Sequence, residues 1–187
     1  WARPQIAVPT HGMRRHLRER ALLAKDMQVP ETVTPRNGDM VRLAPGPAAI
    51  IEASCNMELY DEELDTETYR SGIHTLPPLE IDARGPESMV ACVQEAVSGI
   101  ARRETIPVVL GGEHSISLGC VQALHGLYPD LAVVQLDAHA DLRDTYQETP
   151  FSHACVGRRI REICPLVQAG IRSMSAEEAA YLKTGQV

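Results

Sequence analysis

Asp137, His139 and Asp141 alternate with Ala138 and Ala140 directly after the apolar run 131–136. Such a run reads as a fully buried strand. Residues i, i+2 and i+4 of an extended segment share one face, so two carboxylates and an imidazole point the same way if the strand geometry persists. They then sit at the carboxyl end of a strand, where open parallel sheets bind ligands. The two small alanines let the backbone come close to whatever binds there. The same pattern occurs one unit earlier, where the apolar run 106–110 ends in Gly111-Gly112-Glu113-His114-Ser115. A third histidine follows in Ser152-His153-Ala154. Two carboxylates and two imidazoles on one rim are a mixed oxygen and nitrogen donor set, suited to Mn2+, Fe2+ or Zn2+. The carboxylate-rich share, with no thiolate pair nearby, favours Mn2+. A single Asp-x-His after a strand is ordinarily a turn or a satisfied buried histidine; the three motifs together point to metal chemistry.

The elements that must position these groups alternate. An amphipathic helix is predicted over 86–103, with Pro86 at its first position, Met89, Val93, Val97 and Ile100 on its apolar face, and Arg102 and Arg103 in its last turn. A strand over 106–110 and a helix over 115–127 follow, with Ser115 as N-cap and Tyr128-Pro129-Asp130 as the stop. After the central strand comes a helix over 154–163 carrying Arg158, Arg159 and Arg161, read as a solvated or inter-subunit face. A strand over 166–171 and a helix over 175–183 complete the pattern, with Ser175 and Glu178 spaced as a capping box. The acidic, proline-punctuated stretch 60–81 reads as connecting structure with one short strand at 72–76. Strands alternating with helices of this length imply a parallel sheet with helices on both faces.

Composition sets the frame. The 187 residues are 44% hydrophobic and 23% charged, an ordinary globular balance with room for one core. A net charge of -7 argues against nucleic acid and fits a small cationic substrate. No apolar run is long enough to span a membrane. The five cysteines are odd in number, lack any Cys-x-x-Cys and lie in apolar surroundings, which reads as a reducing, cytoplasmic compartment. Residues 1–28 are Arg-rich, with a helix expected over 11–25; they read as a basic N-terminal extension packing on the domain or a neighbouring subunit, a transit peptide being the alternative. Residues 28–30 suit the end of an edge strand. The chain begins with Trp1 and is expected to be a piece or processed form of a longer protein.

Gly111-Gly112-Glu113-His114-Ser115, Asp137-Ala138-His139-Ala140-Asp141, Ser152-His153-Ala154 and Gly170-Ile171-Arg172-Ser173 resemble the signatures of the ureohydrolase family, the arginases and agmatinases, and most of all the agmatinase branch. The resemblance runs from about Gly46 onward. It implies an α/β domain, three-layer α/β/α with a mainly parallel sheet, incomplete in this chain, with 29–187 as the N-terminal part of a catalytic domain. It implies two Mn2+ per complete subunit, His114 and Asp141 on one ion, His139 on the other and Asp137 bridging. It implies hydrolysis of a guanidino compound, agmatine to putrescine and urea, by a metal-bridging hydroxide, with His153 protonating the leaving amine. Glu113 and Ser115 then either support the ligand between them, or Glu113 is a helix N-terminal carboxylate only. The family is usually homo-oligomeric.

The chain also departs from that pattern. Pro30-Glu31-Thr32 stands where the family has Pro-Phe-Asp, an Arg-Pro-Gly-x-Arg run is blurred over 39–45, and Ile51 occupies an expected arginine position. These segments border the substrate pocket, so substrate-binding residues stay unassigned. No Asp follows Asp144, and a guanidinium-contacting Glu is expected later still, so the 187-residue chain by itself is expected to be a C-terminally truncated, inactive piece. The alternatives are a related ureohydrolase acting on guanidinobutyrate, formiminoglutamate or arginine, and a non-catalytic metal-binding homologue.

Overall fold

The computed structural model describes residues 6–7, 31–32, 46–102 and 105–184. The chain divides into two compact units, Trp1–Glu52 and Ala53–Val187. In the first, β1 (Ile6–Ala7) pairs in parallel with β2 (Glu31–Thr32). The helix α1 (Gly46–Ser54) starts where Gly46-Pro47 was expected to turn into one, and buries no residue. The basic extension 1–28, its predicted helix over 11–25, the strand end at 28–30 and the blurred run 39–45 lie outside the described residues, β1 excepted.

The second unit opens with a small hairpin, β3 (Tyr60–Asp61) against β4 (Thr66–Glu67). Asp65 turns it with φ 51°, and the Tyr60 hydroxyl bonds the Asp65 carboxylate. No strand forms at 72–76, where Ile73 and Leu76 remain exposed. The helix α2 (Pro86–Ala101) buries Val90, Val93, Val97 and Ala101, so the predicted stripe is right but rotated slightly towards Val90. It packs on α3 (Ile116–His125). Gly119 permits the close crossing: a Cβ there would stand 2.4 Å from the Val90 carbonyl oxygen. Ser115 does not cap α3 with its side chain. Its backbone N–H instead donates to Glu113 Oε2 at 2.7 Å.

Next, β5 (Val133–Leu136) pairs in parallel and in register with β6 (Leu166–Ala169). Between them lie a short 3-10 turn, His153–Cys155, and α4 (Val156–Arg161). Val90, Leu118, Val121, Val156, Ile160 and Cys164 form the main core, with Val133 and Leu166 packed against it. This accounts for one face of the sheet only. Val134 is 67% and Leu136 81% exposed on the other face, so β5 is half-buried where a fully buried strand was expected. The described residues thus supply one helical layer and a two-stranded piece of parallel sheet, a partial α/β fold. The run 106–110 enters no ladder among the described residues, and Ile106 is 89% exposed. Its apolar character satisfied the strand pattern, but a strand needs a partner to take its N–H and C=O groups.

Two features tie α4 and the last helix to the loop after β5. Arg158 and Arg159 are not a solvated face: both are half-buried and pair with Asp144 at 3.4 and 2.8 Å, and Arg158 stacks 4.5 Å above the Tyr181 ring. The helix α5 (Ala176–Lys183) begins in the predicted capping box between Ser175 and Glu178. Glu178 is buried, and its Oε1 accepts the Leu142 backbone N–H at 2.9 Å. Cys92, Cys120, Cys155 and Cys164 are free thiols, and burial pushes those of Cys120, Cys155 and Cys164 up. Among the described residues no helix is long and apolar enough to cross a membrane.

Glu178 gives a measurable stability signature. Burial pushes its carboxyl up, but the N–H groups of Ser175 and Leu142, the Ser175 hydroxyl and the Arg143 guanidinium outweigh this and hold it below the usual glutamate value. A lowered native value means stabilisation that is complete above the unfolded glutamate value and fades as pH falls through the native one. Glu178→Ala is expected to cost about 2 kcal/mol at neutral pH, through the charge-assisted bonds it removes, and progressively less as pH falls below the usual glutamate value. Denaturant melts across that pH range check this; equal stability of the two proteins at neutral pH would refute it.

Candidate metal centre

The backbone pairing of β5 and β6 continues past both strands. Asp137 N–H donates to Ala169 O at 3.1 Å, Ala140 N–H to Ser173 O at 3.2 Å, and the N–H groups of Arg172 and Ser173 to Ala138 O at 2.9 and 3.0 Å. His139 and Ser173 form an isolated parallel bridge. Gly170, at φ 85°, makes the turn that allows this approach, since a Cβ there would stand 3.2 Å from Asp137 O. The loop then reverses at Asp141, a non-glycine residue at φ 53°. Aspartate is among the few residue types that tolerate the left-handed region. On the far side, Gly157 of α4 sits against the same turn, and Arg158 N–H donates to Asp141 O at 3.1 Å.

This turn, not strand alternation, decides which side chains meet. Asp137 and Asp141 converge with His114, which arrives from the loop before α3. One donor atom from each lies within 4.8 Å of the others. His114 Nδ1 is 3.1 Å from Asp141 Oδ2 and 3.6 Å from Asp137 Oδ2. His139 stands outside that group, its side chain 63% exposed and its Nδ1 3.5 Å from Asp137 Oδ1. His153 is not among the three either. Its Nδ1 lies 3.1 Å from Glu113 Oε1, which also accepts the His153 backbone N–H at 3.0 Å. The Tyr146 ring meets the His153 ring edge-on, centroids 5.5 Å apart. Glu113 takes the Ser115 N–H at the start of α3, as a helix N-terminal carboxylate would, and its other oxygen bonds His153 and not the neighbouring His114.

The local charges follow from these contacts. The Asp141 carboxylate beside His114 raises the imidazole above its ordinary value, against the opposing effect of burial. Burial pushes Asp137 up, but the His139 backbone N–H and the positive charge of His114 bring it below the carboxylate norm. Glu113 raises His153, again against burial. Burial raises Glu113, and its bonds to His153 and Ser115 return it below the usual value. Two carboxylate oxygens and one imidazole nitrogen at this spacing fit a divalent cation, because the donors are of the right hardness and already face one point. A cavity of about 570 Å³, lined in part by Glu113, His114, Gln135 and Leu136, opens beside them.

His114, Asp137, His139, Asp141 and His153 were all legible as motif residues. The motifs did not show Gln135, Gln168, Gly157, Tyr146 or the reach of Glu178 to Leu142. Only the polar Gln135 inside an apolar strand offered a signal in advance.

Comparison with known proteins agrees with this geometry. A profile described as the arginase family matches residues 30–187. The chain is 37% identical over 145 residues to the N(1)-aminopropylagmatine ureohydrolase of Synechocystis sp., covering 74% of this chain and 47% of that protein. It is 33% identical over 144 residues to the agmatinase of Halalkalibacterium halodurans, covering 74% and 49%. Among solved structures, the agmatine ureohydrolase of Thermoplasma volcanium superposes with a TM-score of 0.65 at 35% identity, covering 70% of this chain and 44% of that one. The chain spans about half the length of the curated relatives it matches.

The tight seat of α4 on the ligand loop can be tested directly. A Cβ at Gly157 would stand 2.7 Å from Ala140 O and 3.0 Å from Asp141 O, both backbone atoms. Gly157→Ala is expected to destabilise the chain by about 1–3 kcal/mol, as overpacking against a rigid neighbour does. Thermal or denaturant unfolding checks it, and a variant as stable as the parent would mean that the loop and helix are not closely seated.

Proposed function

The chain belongs to the arginase family, and on that premise we propose that it carries part of the metal centre of a manganese-dependent hydrolase that splits agmatine, or a closely related alkylguanidine, into urea and an amine. The family is one of C–N hydrolases, and the relatives named above are an agmatinase and an aminopropylagmatine ureohydrolase. The observation that carries the reading is the convergence of His114, Asp137 and Asp141 within 4.8 Å, with the Glu113–His153 pair nearby.

His114, Asp137 and Asp141, with His139 on the open side of Asp137, would hold the metal in this reading. Two Mn2+ bound there would supply a water acidified enough to act as nucleophile near neutral pH. The carboxylates face the cationic guanidinium and keep the rim negative as it approaches. The water oxygen joins the guanidinium carbon, the bond from that carbon to the alkyl nitrogen breaks, and urea and the amine separate. His153 gives the amine its proton, an assignment supported by its pairing with Glu113, which favours the imidazolium. A homo-oligomer of complete subunits is part of the same proposal.

The test uses the complete protein that contains this segment, loaded with Mn2+ and assayed for urea release from agmatine, aminopropylagmatine and guanidinobutyrate. Urea release from agmatine or its aminopropyl derivative is expected, and His153→Ala should lower turnover by about two to four orders of magnitude with metal content unchanged. Loss of metal along with activity would make His153 a ligand. Stoichiometric zinc with no response to manganese, or no urea from any alkylguanidine, would overturn the assignment.

A further inference from the structure

Gln135 is a polar residue on the packed face of β5, only 7% exposed. A leucine or valine would fill that position without needing hydrogen bonds, whereas a buried amide must find them. Gln135 does so in one direction only. Its Nε2 donates to Asp141 Oδ2 at 3.1 Å, and its Oε1 accepts from Gln168 Nε2 at 2.8 Å. Gln168 Nε2 also donates to Ala140 O at 2.6 Å. The two ends of this chain of bonds are a carboxylate and a backbone carbonyl, both acceptors. Neither amide can flip without setting oxygen against oxygen, so the polarity of the relay is fixed.

We propose that Gln135 and Gln168 are positioning residues for the metal centre, an amide relay that aims the Asp141 carboxylate at the position shared with His114 and Asp137. This rests on reading those three residues as metal ligands. Asp141 sits in a left-handed turn with Oδ2 3.1 Å from His114 Nδ1, and the Gln135 amide holds that same oxygen from the strand. A neutral donor orients the carboxylate without cancelling its charge, which an Arg or Lys at that place would do. The sheet register builds the relay, because Gln135 and Gln168 are direct partners in the β5–β6 ladder. A slip of one residue would send Gln168 to the opposite face and break it.

The experiment titrates the complete protein that contains this segment with Mn2+ at fixed pH, following binding by calorimetry or water-proton relaxation. The proteins compared are the parent, Gln135→Met, Gln168→Met and the double variant, each checked for folding by circular dichroism. Methionine keeps the bulk and removes the amide. Gln135→Met is expected to weaken Mn2+ binding about 10- to 100-fold, the range for a lost bond behind a ligand. Gln168→Met should weaken it less, and the double variant should bind like Gln135→Met, because Gln168 acts only through Gln135. Gln168 is only partly buried, so its variant reads the relay even if Gln135→Met fails to fold. Parent-like affinity in both single variants overturns the relay while leaving the metal centre standing. Fully additive losses also overturn it, since independent packing effects add. No binding by the complete parent protein removes the metal centre itself, and the relay with it.

Discussion

The parallel pairing of β5 with β6 is the constraint on which the rest of the second unit depends. The ladder runs from Val133↔Leu166 to Leu136↔Ala169 and then persists as single bonds through Asp137, Ala138 and Ala140 to the 169–173 segment. A loop bearing two carboxylates would ordinarily be free to spread its charges into water. Here the N–H groups of Asp137 and Ala140 and the Ala138 carbonyl are tethered to the neighbouring segment across the sheet end. Asp137 and Asp141 are brought together although their charges repel, and the repulsion is relieved by the imidazole of His114 placed between them. The cost of holding like charges close is offset by backbone bonds formed elsewhere, and that arrangement is what a cation would complete.

The far side of the loop is fixed by three contacts that come from later in the chain. Gly157 lets α4 lie against Ala140 and Asp141, Glu178 takes the Leu142 N–H, and Asp144 draws in Arg158 and Arg159. Leu142, between them, is fully buried. The loop is therefore packed like core, which accounts for an aspartate held in the left-handed region at a cost of order 1–3 kcal/mol. Strain of that kind persists only where the surroundings over-determine it.

Much of this was legible in the sequence, for a specific reason. Helices α2 and α5 announced themselves through local rules, an apolar stripe and a capping box, and local rules are visible in a one-dimensional string. The ligand-type residues stood out because their types are chemically unusual in an apolar context. What stayed hidden is what depends on residues far apart in sequence. Alternation put Asp137, His139 and Asp141 on one face, but the positive φ of Asp141 sends it to His114 and leaves His139 outside. The run 106–110 has the composition of a strand without a partner among the described residues. Arg158 and Arg159 looked like a solvated face until Asp144 and Tyr181 came to meet them.

The two histidines best placed for chemistry are separated by their partners. His114 faces the carboxylates of Asp137 and Asp141, while His153 has a carboxylate of its own in Glu113, bound a second time through its backbone. An imidazole is a ligand only when its nitrogen is unprotonated and a proton carrier only when it can hold a proton, so one environment cannot serve both roles well. A cation near His114 would expel the proton that Asp141 otherwise favours there. Glu113, the residue before His114, turns its carboxylate to hydrogen-bond His153. Adjacent residues in one short loop thus serve different groups, and the loop's position at the start of α3 is what allows their side chains to diverge.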